Sequence, residues 1–321
     1  MMKLNWKVAA VPADDATVET RTGRPPRLLL TLLGDYWWRR TEQLPSAALV
    51  ALLAEFGVSD VAARAALGRL VRHDLLVTSK RGRQTFYRLS DRAAYVLDDG
   101  ARRIFSFGQH PLAWDGMWSV VAFSIPEESR QLRYVLRDRL RWLGFAPLYD
   151  GLWISPRDCL SEAASQLAEL SISTATMFRA RIIEGTPEAG LPQRAWDLDA
   201  LRAHYQQFIT DVQQLGTRIR NGGISPEEAL TARTQIMDTW RGFPALDPDL
   251  PDALLPADWP RALARRLFIE MYDELGSLAQ RRVQYIIARY DPDLARHATY
   301  HRSDALPAFG STGEPAQYAS T

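Results

Sequence analysis

The chain has 321 residues, of which 46% are hydrophobic and 24% are charged, and its formal net charge is +1. This length predicts about two or three domains, and the composition is typical of a soluble globular protein. The single cysteine, Cys159, excludes an internal disulfide and favours a cytoplasmic location. No apolar run reaches the roughly 18 residues of a membrane-spanning helix, so no membrane partner is expected.

The near-neutral net charge hides a segregation along the sequence. Residues 24–90 carry eleven Lys or Arg against five Asp or Glu, so this stretch has a net charge of +6 and the remainder has −5. Arginine is used throughout the chain, which contains only the lysines Lys3, Lys7 and Lys80, so the presence of arginine alone carries little weight. The asymmetry nevertheless indicates an anionic partner for the N-terminal part only.

The N-terminal pattern predicts a flexible extension at residues 1–23 and a DNA-binding domain at 24–107. Three helices are predicted in that domain: one from Arg24 to about Gly34, one from Ser46 to Gly57, and one that Ser59 caps and that continues to about Asp74. Another helix follows the cap Ser90-Asp91-Arg92 and continues to Phe105.

The third predicted helix and the stretch after it form the candidate DNA-binding surface. One helix face is apolar, whereas the other mixes small residues, which allow close approach, with arginines, which reach phosphates and base edges. The stretch TSKRGRQTFYRLS at 78–90 then predicts a hairpin that turns at Gly82 and has a cationic tip. This order of elements indicates a winged helix-turn-helix for double-stranded operator DNA, and the candidate contacts are Ser59, Arg64, Gly68, Arg69, Arg72, Lys80, Arg81, Gly82 and Arg83.

Within that set, Arg64, Arg69 and Arg72 are the candidates for groove contacts, and the wing cations are the candidates for phosphate contacts. A winged helix that binds only other proteins stays an alternative.

The middle of the chain, residues 108–190, predicts a ferredoxin-like domain that serves as a dimerisation scaffold. A strand at 118–125, a helix at 127–143, a hairpin of 145–149 and 152–155, a helix at about 156–170 and a strand at 172–183 give the order βαββαβ. Asp150-Gly151 is the turn signal of the hairpin.

Residues 191–292 predict a helical C-terminal domain, and residues 293–321 a disordered tail. The fold class is therefore expected to be multidomain α+β. Within the helical domain, the linker 247–256 is rich in proline but apolar, so we expect it to pack on the domain surface. Trp240, Arg241 and Phe243 combine a cation with aromatic rings and are the candidate effector-binding residues.

No sequence motif of a catalytic, metal or cofactor site is present, so an enzyme is not expected. A metal-dependent nuclease of the ferredoxin-like type needs a carboxylate at the end of its first strand, but that strand ends Phe123-Ser124-Ile125-Pro126. The nearest acids, Glu127 and Glu128, fit the first turn of the next helix, where the helix dipole favours them. A nuclease or nucleic-acid-binding module stays a minor alternative.

Three blocks of sequence in succession resemble the PaaX family of bacterial regulators. They are residues 27–105, with Leu-Gly-Asp-Tyr at 33–36, residues 118–155, and the stretch from Leu246-Asp-Pro to Leu-Leu-Pro-Ala-Asp-Trp-Pro at 246–260. The resemblance implies a winged-helix repressor whose central domain is similar to the small CRISPR-associated nuclease subunit.

The resemblance further implies an operon for catabolism of an aromatic acid of the phenylacetate type, and release from the operator by an acyl-CoA effector such as phenylacetyl-CoA. Because two recognition helices fit a palindromic operator, we expect a homodimer. Control of other genes in response to a different small ligand is the alternative within this class.

Overall fold

The computed structural model describes residues 24–109, 113–181 and 195–304. These residues divide into two compact units. The first unit contains residues 24–105, 223–237 and 269–304, and the second contains the described residues of 106–222 together with 238–268. The predicted extension at 1–23 and the tail from 305 onward lie outside the described residues.

The first unit begins with helices and a small antiparallel sheet. The helices are α1 Arg24–Trp37, α2 Ser46–Ala54, α3 Asp60–Arg72 and α4 Asp91–Ser106, and the strands are β1 Leu44–Pro45, β2 Leu76–Arg81 and β3 Gln84–Leu89. The sheet order is β1-β3-β2. The sequence predicts these elements except β1, a two-residue strand that contains a proline and has no periodicity to reveal it.

Apolar side chains of the three first helices form a closed core. Leu29, Leu49, Leu53, Ala63 and Leu70 are all 0% exposed. The hydroxyl of Ser90 fixes the start of α4, because it accepts a hydrogen bond from the amide of Ala93 at 3.0 Å and donates to the carbonyl of Asp74 at 2.6 Å. This one residue therefore joins the end of β3 to the loop that follows α3.

The region for which the sequence predicts a helical domain, 191–292, is largely helical in its described residues. Its helices are α7 Leu198–Gly222, α8 Pro226–Trp240, α9 Phe243–Leu246, α10 Arg261–Glu274, α11 Gly276–Ala288 and α12 Pro292–Ala295, and they are divided between the two units. Helix α11 packs against the N-terminal helices within the first unit, where Val283 and Ile287 line a small apolar cavity together with Leu29 and Leu52. None of the helices in the described part of the chain is long and apolar enough to cross a membrane.

A buried arginine joins α1 to the C-terminal residues of the first unit. The guanidinium of Arg233 lies 3.4 Å from the carboxylate of Asp35 and donates to the carbonyls of Tyr272 at 3.0 Å and His301 at 2.8 Å. The Tyr272 hydroxyl donates to Asp35 at 2.7 Å. Burial, the main cause, raises the pKa of Tyr36 in this cluster to about 12, so its hydroxyl stays protonated near neutral pH.

The beginning of the predicted disordered tail is part of this packing. Residues 292–295 form α12, the Ala298 side chain is fully buried, and the amide of Thr299 donates to the carbonyl of Tyr36 at 3.2 Å. The polar composition of 293–304 predicts disorder, but backbone contacts with the core order these residues. The prediction of a disordered tail is therefore corrected for 293–304.

The central part of the second unit has the predicted order of elements. These are β4 Trp118–Phe123, a 3₁₀ turn Glu127–Ser129, α5 Arg130–Trp142, β5 Ala146–Tyr149, β6 Leu152–Ser155, α6 Leu160–Glu169 and β7 Ala175–Ala180. The strands are antiparallel in the order β5-β6-β4-β7. Gly151 is required at the β5–β6 turn, because a Cβ there would lie 2.5 Å from the carbonyl oxygen of Phe123.

The sheet of the second unit is apolar on both faces. One face packs against side chains of α5 and α6, with Val121, Phe123 and Trp153 at its centre. On the other face Trp118, Val120 and Ile154 are covered by residues that include Trp114, Trp196 and Leu254. The central strands are thus buried on two sides, which explains why β4 is an almost continuous apolar run.

Arg261 organises the proline-rich linker. Its guanidinium donates to the carboxylates of Asp249 at 2.9 Å and Asp252 at 3.0 Å and to the carbonyl of Leu250 at 3.1 Å. Leu250 is only 1% exposed. The linker is therefore packed, as the sequence predicts, but an arginine that follows it in sequence holds it.

Candidate nucleic-acid interface

Helix α3 presents one continuous solvent-exposed face. Its members follow helical spacing and are Asp60, Val61, Arg64, Ala65, Gly68 and Arg72. The opposite face is buried in the core by Ala63, Ala66, Leu67 and Leu70. The helix is therefore anchored by its apolar face and leaves a surface of small and basic side chains free.

Local contacts explain where α3 begins and how its first turn is arranged. Ser59 is the N-cap, with extended backbone, and its hydroxyl accepts from the amide of Ala62 at 3.4 Å. Arg64 lies 3.9 Å from Asp60, and both side chains are mostly exposed. Such a pair is weak in water, so the Arg64 guanidinium can leave it for a phosphate or a base edge.

The remaining predicted residues of α3 differ in accessibility. Arg72 is exposed, and a Cβ at Gly68 would meet no atom within 4 Å, so the surface beside both is open. Arg69 is only half-exposed, and its Nε is buried without a hydrogen-bond partner among the described residues. Arg69 therefore lies at the edge of the face that Arg72 occupies.

The hairpin after α3 ends in a two-residue turn. Arg81 and Gln84 are its last paired residues, and Gly82, the first residue of the turn, has a φ of +60°. Glycine at this position is the requirement of a type II′ turn. Phe86 and Leu89 are buried to 7% and 6% exposure, so they anchor the hairpin to the core as the sequence predicts, while Lys80 and Arg83 are exposed at its tip.

Arg81 is held in place on the hairpin. Its guanidinium lies 4.8 Å from the ring centroid of Phe86 and donates to Oε1 of Gln43 at 3.3 Å. The same oxygen accepts from the hydroxyl of Ser79 at 2.6 Å. Gln43 is a residue that the sequence analysis missed, because only the pairing of β1 with β3 brings it to the hairpin.

The acidic side chains of the first 90 residues are mostly neutralised by other parts of the same unit. Asp35 pairs with Arg233 at 3.4 Å and Glu55 with Arg282 at 2.8 Å, and a Glu42 carboxylate oxygen lies 2.9 Å from Nδ1 of His297. In contrast, none of the carboxylates in the described residues forms an ion pair with the exposed cations at positions 72, 80 and 83. Although Asp60 pairs with Arg64 at the start of α3, the cations at 72, 80 and 83 therefore form a positive surface that no acid in the described residues pairs with.

The candidate effector residues lie in the core of the second unit. Trp240 and Phe243 are 0% and 3% exposed. Trp240 stacks on Phe268 with ring centroids 4.9 Å apart, and Phe243 stacks on Tyr205 at 4.2 Å. Arg241 donates to the carboxylate of Asp238 at 2.6 Å. An effector could reach the two rings only by displacing their neighbours, so their role in binding stays a prediction.

The end of β4 has the features expected from the sequence. Glu127 lies in the 3₁₀ turn before α5 and pairs with Arg133 at 2.9 Å. In the described part of the chain, no group of three or more His, Cys, Asp or Glu side chains could hold a metal ion. Cys159 is buried, and burial, the main cause, raises the pKa of its thiol, which lowers its reactivity.

Comparison with protein-family models gives three matches in chain order. The description PaaX-like protein matches residues 24–93, PaaX protein central Cas2-like domain matches residues 111–192, and PaaX-like protein C-terminal domain matches residues 196–285. These ranges follow the three blocks in which the sequence resembles that family.

Similar whole proteins support the same comparison. The transcriptional repressor PaaX of Escherichia coli (strain K12) is 29% identical over 258 residues, covering 78% of this chain and 80% of the repressor. Among solved structures, the uncharacterized protein Rv0674 from Mycobacterium tuberculosis is similar with a TM-score of 0.51 and 25% identity, covering 78% of this chain and 94% of that chain. The likeness therefore extends over most of the length of each protein.

Proposed function

The chain belongs to the PaaX family, and we propose that it is a transcriptional repressor that binds operator DNA through α3 and the β2–β3 hairpin. The observation that carries this function is the cationic surface of α3 and the hairpin tip, where the exposed cations at 72, 80 and 83 have no ionic partner among the described residues. In this role the protein binds DNA and carries out no catalysis.

The N-terminal elements would act as a winged helix-turn-helix. Helix α3 would enter the major groove, where Arg64 and Arg72 reach base edges and the small side chains of Ala65 and Gly68 allow close approach. The hairpin would be the wing, with Lys80, Arg81 and Arg83 on the phosphates. Gln43 and Phe86 would hold Arg81 in its binding position.

The central βαββαβ sheet would be a ferredoxin-like scaffold that joins two copies of the chain. In its strand order, β5-β6-β4-β7, the two strands that precede helices, β4 and β6, are the two central strands, as in the split βαβ fold. A homodimer would place two copies of α3 on half-sites about 34 Å apart, one turn of the DNA helix. The operator would then be palindromic.

The effector would be a small acidic molecule, and an aromatic acyl-CoA is the proposed class, with genes for catabolism of a phenylacetate-type acid as the regulated operon. Release requires that the ligand have a higher affinity for the arrangement that cannot bind DNA than for the arrangement that can. Each tenfold loss of operator affinity needs about 1.4 kcal/mol of that difference. Trp240, Arg241 and Phe243 are the proposed contacts, which would need the aromatic core around them to open.

Capture of genomic fragments by the purified protein tests DNA binding. We expect the wild-type protein to enrich a short palindromic sequence, and the variant Lys80→Ala/Arg81→Ala/Arg83→Ala to recover little DNA. The matched control, Arg133→Ala/Arg137→Ala/Arg139→Ala, removes three arginines of α5 that already have partners. Recovery without sequence preference by the wild-type protein contradicts a sequence-specific repressor.

Two further arms of the capture experiment address the effector and the alternative activity. Repeating it with a panel of acyl-CoAs should identify one compound that abolishes enrichment, and the captured genes would name the operon. Incubation of nucleic acid with the protein and a divalent cation tests for nuclease activity. Hydrolysis that depends on the metal would overturn the non-catalytic function.

A further inference from the structure

An exposed valine lies at the N-terminal end of the exposed α3 face. Val61 is 80% exposed, more than any other large hydrophobic side chain in the described residues. It is in the first turn of α3 and on the same face as Arg64, Ala65, Gly68 and Arg72. A β-branched residue has a lower helix propensity than alanine, and this one buries almost none of its side chain in the fold. Neither secondary structure nor the core of the chain therefore accounts for Val61.

The side chains around Val61 indicate the kind of surface that it can contact. Its neighbours on the face are Asp60, Ala65 and Arg64, whose guanidinium lies 3.9 Å from the Asp60 carboxylate. Further along the helix the surface is open at Gly68, where a Cβ would meet nothing within 4 Å. Exposed cations continue along the helix to Arg72 and onto the hairpin at Lys80 and Arg83. Charge complementarity favours a polyanion over an apolar protein surface at this position.

The chemistry of the major groove offers one apolar group to such a side chain. Guanine, cytosine and adenine present hydrogen-bond donors and acceptors there, whereas thymine also presents its C5-methyl group. The N-terminal residues of a recognition helix are those that contact base edges. A valine in the first turn of α3 fits a thymine methyl and can form no hydrogen bond with the other bases.

We propose that Val61 is a specificity-determining residue that packs against the C5-methyl group of a thymine in the operator. This assignment rests on the proposed function of α3 as the recognition helix. It adds a direct apolar contact to the arginine contacts, and so makes one position of each operator site selective for thymine over cytosine.

Replacement of thymine by uracil in the captured operator tests the contact, because it removes only the C5-methyl group. Each thymine is replaced in turn, and the Kd is measured for the wild-type protein and for Val61→Ala. We expect one position in each half-site at which uracil weakens wild-type binding about fourfold, the change that burial of one methyl group (~0.8 kcal/mol) gives. At that position, uracil should not weaken binding of Val61→Ala any further.

The substitution at an exposed position leaves the fold intact, which circular dichroism and the Tm of Val61→Ala would verify. The matched control is Val135→Ala, because Val135 is an exposed valine of helix α5, at 42% exposure, outside the α3 surface. This control should keep the wild-type response to uracil.

The outcomes separate this contact from the function on which it rests. Wild-type binding that prefers the operator but responds to uracil in the same way as Val61→Ala at every position overturns the thymine contact and leaves the repressor function standing. Wild-type binding without preference for any captured sequence overturns both.

Discussion

Two regions of the molecule are both rich in cations but place them in different environments. Helix α5 carries Arg130, Arg133, Arg137, Arg139 and Arg141, and each of these guanidinium groups hydrogen-bonds within the second unit. On the α3 surface and the hairpin, the cations Arg72, Lys80 and Arg83 are exposed, and no carboxylate in the described residues pairs with them. Arg133, Arg137 and Arg139 join α5 to neighbouring elements, and Arg130 and Arg141 bond within the helix. In contrast, Arg72, Lys80 and Arg83 are available for an external anion.

The difference shows why a count of cations along a sequence does not identify a nucleic-acid surface. Arg133 donates to the carbonyl of Ile125 at 2.8 Å, and Arg139 reaches Glu169 at 2.7 Å. These contacts reach residues in other elements, so the pattern of α5 alone cannot predict them. The absence of a partner, in contrast, leaves the charge of a side chain uncompensated and gives a positive surface potential.

The largest effect is expected for Arg233, the extreme case of an arginine with internal partners. Arg233→Met removes a cation that is fully buried against Asp35 and the Tyr272 ring, whose centroid is 3.7 Å from the guanidinium carbon. It should lower the free energy of unfolding by about 3–5 kcal/mol, because the carboxylate of Asp35 stays buried without its counter-charge. Thermal or denaturant unfolding measures this change.

Arg72→Met is the matched control for that substitution. Arg72 is exposed, so its loss should change the free energy of unfolding by less than about 0.5 kcal/mol. Equal destabilisation by the two variants would contradict the division of arginines into internal and external classes.

The second largest effect is expected for the hairpin cations. Lys80→Ala/Arg81→Ala/Arg83→Ala should reduce the slope of log K against log salt by about 2.7 for each protomer bound, since each lost phosphate contact contributes about 0.9. Titration of operator and random DNA over a range of salt concentrations measures the slope, and both DNAs should lose affinity.

The variant Arg133→Ala/Arg137→Ala/Arg139→Ala changes the formal charge by the same amount and should keep the wild-type slope. Equal slopes for the two triple variants would show that the hairpin cations contribute no more to the salt dependence than other cations of the protein. That result would contradict the proposed phosphate contacts.

A smaller effect is expected for the arginines of α3, and it should differ between two of them. Arg72→Ala should cost about 1–3 kcal/mol of discrimination between the operator and a variant at one base pair, because an arginine at a base edge carries that much. Arg69→Ala should have less effect, since Arg69 is half-buried at the edge of the surface. Competition binding with single-base operator variants measures both, and the reverse order would contradict the accessibility argument.

The elements of this fold that the sequence predicts are those set by local contacts. The start of α3 is an example, because the sequence predicts Ser59 as its cap and the Ser59 hydroxyl accepts from the amide of Ala62 at 3.4 Å. The turn at Gly82 is a similar case, in which a glycine has the positive φ that the turn needs. Each of these signals lies within a few residues.

The features that the sequence does not reveal depend on contacts between distant residues. β1 exists through its pairing with β3, and Gln43 reaches Arg81 across 38 residues. The division of the helical region between two units follows from contacts such as Arg282 with Glu55, 227 residues apart. For the candidate site, the cationic residues of α3 and the hairpin are predictable, but only the folded chain shows that Arg81 has an internal contact with Gln43 whereas Arg72, Lys80 and Arg83 have no ion-pair partner in the described residues.

The smallest effect is expected for a single surface arginine of α5. Arg137 pairs with the largely exposed Asp150 at 2.8 Å and also donates to its backbone carbonyl at 3.1 Å, so Arg137→Ala should lower the free energy of unfolding by about 0.2–1 kcal/mol. Lys80→Ala should leave stability unchanged but weaken DNA binding, because Lys80 is exposed at the hairpin tip. Chemical denaturation should therefore detect a change only for Arg137→Ala, and DNA titration a change only for Lys80→Ala. If both variants changed the same quantity, the distinction between the two regions would be contradicted.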